Sequence, residues 1–186
     1  GLDSTGVKAF LLNACSSYRQ GEKLLEAGSI CGIVTLQDII NSGAERIGET
    51  LAKLLNAGFP IRASINIAKK KSIMGGHYLV LGDGSLDIVQ CQTGNPTLGK
   101  ISKNSDSFYL EYITYPTSNK GIGTIHYPYV GSNNEYYLVS GSNDSFNLNY
   151  NNLVDYLEVE NTPVEFDGDL KWSFELVPEI NLRASD

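Results

Sequence analysis

Two apolar runs near the start of the chain constrain its fold more than any other feature. They cover Val7–Asn13 and Ile30–Leu36, and the second run (ICGIVTL) is continuous. Such runs are typical of strands that are buried on both faces, as in the sheets of α/β domains. Between them, Arg19–Ala27 has the length of a short helix, with Gly28 as its C-terminal stop. The first half is therefore predicted to be α/β, an open sheet flanked by helices.

A stronger helix signal follows the second run. Ser42 and Glu45 have the spacing of a capping box, in which their side chains satisfy amides at the helix start. The residues after them repeat with helical spacing and predict one buried stripe. These residues are Ile47, Leu51, Leu54 and Leu55. A second helix is predicted to begin at Pro60 and to end in the lysines at 69–71, which indicate a solvated helix end or a binding patch.

A hairpin is predicted after these helices. Gly82-Asp83-Gly84 separates His77–Leu81 from Ser85–Val89. A short glycine-containing turn between two β-rich runs is a typical hairpin signal.

The composition and the periodicity of the sequence change after about residue 92. Helical periodicity disappears, and Tyr, Asn, Ser and Gly become frequent. Several short runs have β-strand character, and one segment could form a turn or two of helix. The runs are Phe108–Thr114, Glu135–Ser140 and Lys171–Val177, and the helical segment is Asn151–Glu158. We predict two domains, 1–96 and 97–186, of which the second is small and mostly β.

Charge and cysteine content restrict the partners and the compartment. Residues 1–90 carry 9 Lys/Arg and 8 Asp/Glu, whereas residues 91–186 carry 5 and 13. An acidic half without clustered cations argues against nucleic acid as a partner. No apolar run is long enough for a membrane span, and no signal peptide opens the chain. The 3 cysteines have neither disulfide-framework nor zinc-site spacing, which favours a reducing cytoplasm and predicts no metal site.

Cys15 is the candidate catalytic residue. It ends the first apolar run and is followed by Ser16 and Ser17. Ligands of open α/β sheets bind at the carboxyl ends of the strands, and a thiol there needs a base or a dipole to become a nucleophile. The alternative is a small structural residue at a strand end. Cys31, inside the second run, is predicted to be an inert core residue, and Cys91 has no partner nearby in sequence.

The order of these segments resembles the caspase-like cysteine peptidases of the CHAT and separase group. The resemblance covers roughly residues 7–89. The segment from Asn13 to Ser16 (NACS) is similar to the nucleophile segment of the group. Ala27–Asp38 (AGSICGIVTLQD) is similar to the next strand and its substrate-pocket loop. Ser42–Leu55 and the following helix are similar to the helices after that loop.

The resemblance implies a mechanism and a substrate. Cys15 would attack a peptide carbonyl, a histidine would activate the thiol, and the Cys15 amide would hold the oxyanion. Asp38 matches the acidic residue of the specificity pocket, where a buried carboxylate would select Arg or Lys. The alternative is that Asp38 is a helix cap or turn residue. Asn13 is expected to contact the substrate, and no cofactor is expected.

The chain departs from the group in its histidines. The group carries its catalytic histidine upstream of the cysteine, and no histidine precedes Cys15. We therefore expect an N-terminal part to supply the histidine. The resemblance also implies that a regulatory protein controls the peptidase. His77 and His126 are the histidines within the chain, and the family pattern assigns the base to neither. The competing prediction is a non-catalytic, caspase-like scaffold or protein-binding module.

Overall fold

The computed structural model describes residues 6–91, 95–105, 107–120, 125–131 and 138–183. They belong to two compact units, Gly1–Gln90 and Cys91–Asp186, whereas the sequence analysis put the boundary between residues 96 and 97. Each unit combines helices with a mixed sheet, so the predicted α/β class is confirmed. In the part of the chain that the structure describes, no helix is long and apolar enough to cross a membrane.

The first unit is built on a three-stranded sheet in the order β1-β2-β3. Its elements are β1 (Ala9–Leu11), α1 (Tyr18–Glu26), β2 (Cys31–Thr35), α2 (Asn41–Asn56), α3 (Ile61–Ala68) and β3 (Tyr78–Gly82). Strands β1 and β2 are parallel, with Ala9 opposite Cys31, whereas β3 is antiparallel to β2, with Tyr78 opposite Thr35. The carboxyl ends of β1 and β2 therefore lie at the same edge as the amino end of β3.

Helices cover both faces of this sheet. Alternate residues of β2 point to opposite faces, and all five are buried. Cys31 and Ile33 pack in one core with apolar residues of α2 and α3. Val34 faces α1, where a Cβ added at Gly21 would lie 2.4 Å from its Cγ1 atom. The predicted stripe of α2 is confirmed, because Ile47, Leu51 and Leu54 are fully buried and Leu55 packs against the core.

Two local predictions for this unit are wrong. The helix α2 begins at Asn41, so Ser42 lies inside its first turn, and the N-cap Ile40 makes no side-chain cap. The hairpin does not form, because the backbone after the turn pairs with the start of α3 instead of with β3. The Ile61 amide donates to the Leu86 carbonyl at 3.0 Å, and the Arg62 amide donates to the Gly84 carbonyl at 2.9 Å.

The second unit contains a five-stranded sheet in the order β10-β9-β4-β5-β8. Its strands are β4 (Thr97–Asn104), β5 (Ser107–Thr114), β8 (Asn143–Leu148), β9 (Pro163–Phe166) and β10 (Asp169–Trp172), beside the short pair β6 (Ile125–His126) and β7 (Leu138–Val139). Two helices, α4 (Tyr150–Val159) and α5 (Ser173–Arg183), complete the unit. Residues of both helices and of the sheet form one apolar core, separate from that of the first unit.

The predictions for this unit hold in part. The strand at Phe108–Thr114 and the helix near Asn151–Glu158 are confirmed. The run Glu135–Ser140 begins outside the described residues, and its described end contains β7. The strand predicted over Lys171–Val177 is confirmed only at Lys171 and Trp172, which end β10, because the chain turns into α5 at Ser173.

Candidate active site

Cys15 lies in an exposed turn after β1, at the edge where β1 and β2 end. Pairing with β2 continues one residue past β1, since the Leu12 amide donates to the Ile33 carbonyl at 2.9 Å. Ser16 then adopts a φ of 51°, in the left-handed region that is uncommon for residues other than glycine. Its amide donates to the Gln37 carbonyl at 3.3 Å, which holds the turn against the segment after β2.

The Cys15 thiol contacts the backbone of Ile39. The Ile39 amide lies 3.5 Å from Sγ, in position to donate to sulfur. The Ile39 carbonyl lies 3.7 Å from Sγ and can accept from a protonated thiol. The thiol therefore lies within hydrogen-bonding reach of one backbone donor and one backbone acceptor, both of Ile39.

A buried cluster beneath the turn fixes the peptide bond in front of Cys15. Ser17 and Thr35 are both fully buried. Their hydroxyls lie 3.2 Å apart, and the Thr35 hydroxyl also donates to the Ala14 carbonyl. The Ala14 carbonyl and the Cys15 amide belong to the same trans peptide and point in opposite directions.

Thr35 therefore turns the Cys15 amide away from the cluster. Among the described residues, none accepts a hydrogen bond from that amide. An unpartnered donor next to a nucleophile is what stabilisation of an oxyanion requires. Stabilisation of an oxyanion by the Cys15 amide stays a prediction.

Asn13 ties the same turn to two other elements. Its side-chain amide donates to the Ala44 carbonyl of α2 at 2.9 Å. Its Oδ1 atom accepts from the Tyr78 hydroxyl of β3 at 2.5 Å. Burial raises the pKa of Tyr78, and negative charge on Cys15 raises it further. These bonds give Asn13 a structural role, and its contact with substrate stays a prediction.

Asp38 lies beside Cys15 but is exposed, which corrects the expectation of a buried carboxylate. The Ser16 hydroxyl donates to its Oδ1 atom at 3.3 Å. The N-cap of α2 is Ile40, so Asp38 does not cap that helix. Its carboxylate therefore stands in solvent, two residues after Leu36, at the same edge as the thiol.

His77 approaches this edge from β3. It ends a 3-10 turn, and its Nδ1 atom lies 3.2 Å from the Asp38 carbonyl. Because a carbonyl only accepts, this contact requires a proton on Nδ1. The Asp38 carbonyl contacts His77, the Ile39 amide contacts Cys15, and these two groups belong to the same peptide bond. The distance between the Cys15 Sγ and His77 Nδ1 atoms is therefore at most about 9 Å.

His77 does not form a dyad with Cys15 in the part of the chain that the structure describes. His77 makes no hydrogen bond to Sγ there. His126 belongs to the second unit, where it is buried and its Nε2 atom lies 3.1 Å from the Ser140 hydroxyl. Burial lowers the pKa of His126.

The other cysteines differ from Cys15. Cys31 is fully buried in β2, which agrees with its predicted core position. Burial raises the pKa of its thiol to about 11, and the Asp83 carboxylate adds to the shift. A thiol of this kind is inert at neutral pH. Cys91 is partly exposed and lies in the second unit.

Comparisons with known proteins give no family. No protein-family model, no curated protein and no solved structure matches the chain. The likeness to the CHAT and separase group therefore remains a hypothesis that depends on the residues themselves.

Several residues that shape this site were not among the candidates predicted from the sequence. Thr35 carried a signal, because it is a polar residue within an apolar run that must be buried. Tyr78 and Ile39 carried none, since the first contributes a hydroxyl across the sheet and the second only its backbone.

Proposed function

We propose that the first unit is the nucleophile-bearing part of a cysteine endopeptidase of the CHAT and separase kind. The observation that carries the proposal is the exposed Cys15 thiol, which faces the Ile39 amide at 3.5 Å while its own amide has no described acceptor. A thiol at the carboxyl end of a strand, with backbone amides nearby, is an arrangement that can support acyl transfer.

The reaction would run in two steps. The Cys15 thiolate attacks the peptide carbonyl carbon, and the C–N bond breaks as a histidine protonates the leaving amine. Water then attacks the thioester, the histidine takes its proton, and the carboxylate product leaves with the thiol restored. The Cys15 amide stabilises the oxyanion in both steps. Neither step calls for a metal or a cofactor.

Asp38 is proposed to favour a basic residue before the scissile bond. Its carboxylate lies beside the Cys15 turn through the 3.3 Å contact with the Ser16 hydroxyl. Because Asp38 is exposed, its pairing with Arg or Lys would be weaker than that of a buried carboxylate until substrate covers it. Asn13 would act in the same pocket through the second proton of its side-chain amide.

The base is proposed to come from a histidine-bearing N-terminal part. Among the described residues, β1 pairs with β2 alone, so its other edge can accept a further strand. An apolar groove of about 120 Å³ lies along β1 and includes Phe10, Leu11 and Leu55. Unpaired strand edges with apolar surface are where strands add.

The remaining parts of the hypothesis concern setting and control. A thiol nucleophile needs a reducing compartment, which favours the cytoplasm. A regulatory protein is proposed as a further partner, and the acidic second half disfavours nucleic acid.

Labelling of the full-length protein tests this proposal. A peptidyl acyloxymethyl ketone with Arg next to the warhead should alkylate Cys15, and Cys15→Ala should abolish the label. Asp38→Asn should reduce the rate of labelling by the Arg probe, and this reduction should be at least ten times as large as the reduction in the rate of labelling by iodoacetamide. Glu26→Gln, an exposed carboxylate at the end of α1, is the matched control and should change neither rate.

Two results would contradict the hypothesis. Arg-probe labelling that persists in Cys15→Ala would remove Cys15 as the nucleophile. Equal loss of both rates in Asp38→Asn would make Asp38 a structural residue.

A non-catalytic binding module is the second candidate. The observation that favours it is that His77, the histidine of the first unit, bonds to the Asp38 carbonyl and not to Cys15. If this candidate is correct, the Arg probe should alkylate the full-length protein no faster than the same probe with neutral norleucine in place of Arg.

A further inference from the structure

A polar cleft of about 380 Å³ opens on the second unit, far in sequence from Cys15. Strands β4 and β5 contribute Thr97 and Tyr112 to its floor. The end of α4 and the residues after it contribute Glu160 and Thr162, and β6 contributes His126. All five residues belong to the second unit.

The floor of the cleft is formed by buried side chains that carry hydroxyl groups. Tyr112 is 3% exposed, and its ring packs edge-on against Tyr156 with centroids 6.3 Å apart. Thr97, which also lines the cleft, is 5% exposed. Burial and the Glu160 carboxylate raise the pKa of Tyr112, so its hydroxyl stays protonated. Tyr112 therefore contributes an uncharged side chain to the lining of the cleft.

Glu160 supplies the negative charge. Its Oε1 atom accepts from the Tyr129 amide at 2.9 Å. No Lys or Arg of the described residues forms an ion pair with it. Burial raises its pKa, which means that the carboxylate would gain from a counter-ion that enters the cleft.

His126 does not fill this need. Its Nε2 atom is engaged with the Ser140 hydroxyl. Burial lowers its pKa, and the positive charge of Lys120 lowers it further, so the imidazole is neutral above its ordinary titration range. Lys120 is not among the residues that line the cleft.

The mouth of the cleft is apolar and aromatic. Tyr127 is 66% exposed, Val159 is 60% exposed, and Ile125 is 50% exposed. Large apolar side chains at the mouth suit an alkyl stem, and an aromatic face attracts a cation. A carboxylate below an apolar rim is the arrangement that a long, amphipathic cationic side chain would complement.

We propose that this cleft binds the cationic end of a lysine or arginine side chain of a peptide, with Glu160 as counter-ion and Tyr127 against the alkyl stem. The proposal does not depend on Cys15 or on peptidase activity. It would give the second unit a role in holding basic peptide.

Titration of the full chain with three short peptides tests the proposal. The probes are Gly-X-Gly tripeptides in which X is lysine, arginine or norleucine. Each tripeptide is acetylated at its N-terminus and amidated at its C-terminus. Binding is followed by amide chemical shifts up to millimolar concentration, with assignment of the signals of Tyr129 and Glu160. We expect both cationic probes to bind at least tenfold more tightly than the norleucine probe.

Three variants make the test specific. Glu160→Gln keeps the oxygen that accepts from Tyr129 but removes the charge, and it should weaken binding of the cationic probes at least tenfold. Glu158→Gln removes an exposed carboxylate of the same helix and should leave binding unchanged. Tyr127→Ala changes an exposed side chain, so it keeps the test valid if Glu160→Gln does not fold, and it should weaken binding severalfold.

The proposal fails on any of three outcomes. Equal binding of the norleucine and lysine probes would mean that the cleft is a general apolar site. Unchanged binding in both Glu160→Gln and Tyr127→Ala would place the peptide elsewhere. No binding of either cationic probe at millimolar concentration would mean that the cleft is not a peptide site.

Discussion

Replacing Thr35 by valine tests the link between the buried cluster and the candidate nucleophile. Valine has nearly the shape of threonine but lacks the hydroxyl, so packing in β2 is kept. The substitution removes the donor to the Ala14 carbonyl and the acceptor that lies 3.4 Å from the Ser17 amide. Ser17 is fully buried, so its amide is left without its partner.

The magnitude follows from these losses. An orphaned buried amide costs about 1–3 kcal/mol, and the lost bond to the carbonyl costs about 1 kcal/mol net. The added buried methyl group of valine returns about 1 kcal/mol. We expect the free energy of unfolding of the first unit to fall by about 1–3 kcal/mol.

Protection of the Cys31 thiol is the assay, because Cys31 is fully buried in the first unit. Its alkylation across a denaturant series, read by mass spectrometry, gives the unfolding midpoint of that unit. Iodoacetamide labelling of Cys15 in native protein gives the second readout. It should change severalfold in Thr35→Val, because the Ala14–Cys15 peptide is no longer held. Thr35→Ser keeps the hydroxyl and should keep the Cys15 rate.

The reasoning is refuted by either of two results. A change in the free energy of unfolding below about 0.5 kcal/mol in Thr35→Val would mean that the hydroxyl contributes little. Equal Cys15 rates in wild type, Thr35→Val and Thr35→Ser would mean that the cluster does not orient the nucleophile.

Two further predictions concern packing and pH. A Cβ at Gly32 would lie 2.0 Å from the Phe10 ring. Gly32→Ala should therefore lower the free energy of unfolding of the first unit by about 1–3 kcal/mol, measured by protection of the Cys31 thiol. An unchanged unfolding midpoint would contradict the packing of β1 against β2. Burial and Lys120 depress the pKa of His126, so the unfolded second unit binds the proton more readily than the folded one. The contribution of His126 to the free energy of unfolding of the second unit should be fully present above about pH 6.5 and should be lost as the pH drops through the folded pKa. His126→Gln should remove this part of the pH dependence of the free energy of unfolding, as measured by urea unfolding.

The elements that the sequence predicted well are those whose apolar pattern is continuous or periodic. The run ICGIVTL became β2, and the stripe that includes Ile47 and Leu51 became the buried face of α2. Both follow from burial alone, which residue type reports directly.

The predictions that failed depended on how polar backbone groups find partners. Gly82-Asp83-Gly84 does turn the chain, but the next carbonyls accept from amides at the start of α3 and not from β3. Lys171–Val177 has strand-forming residues, yet the Glu175 side chain accepts from the Trp172 amide at 2.8 Å and begins a helix. Such choices depend on tertiary neighbours that residue type does not report.

The candidate site was predictable only in outline. Parallel pairing of the two apolar runs was enough to put Cys15 and the segment of Asp38 at one edge. The exposure of Asp38, the Ile39 contacts and the Tyr78 hydroxyl depend on turn geometry and on the antiparallel return of β3. Neither feature has a local sequence signal.

The separate cores of the two units have a consequence for cooperativity. The apolar core of each unit contains residues of that unit alone. Trp172, the sole tryptophan of the chain, belongs to the second. We therefore expect two unfolding transitions instead of one, with tryptophan emission reporting only the second unit. A single melting temperature taken from that emission would not detect the collapse of the unit that carries Cys15.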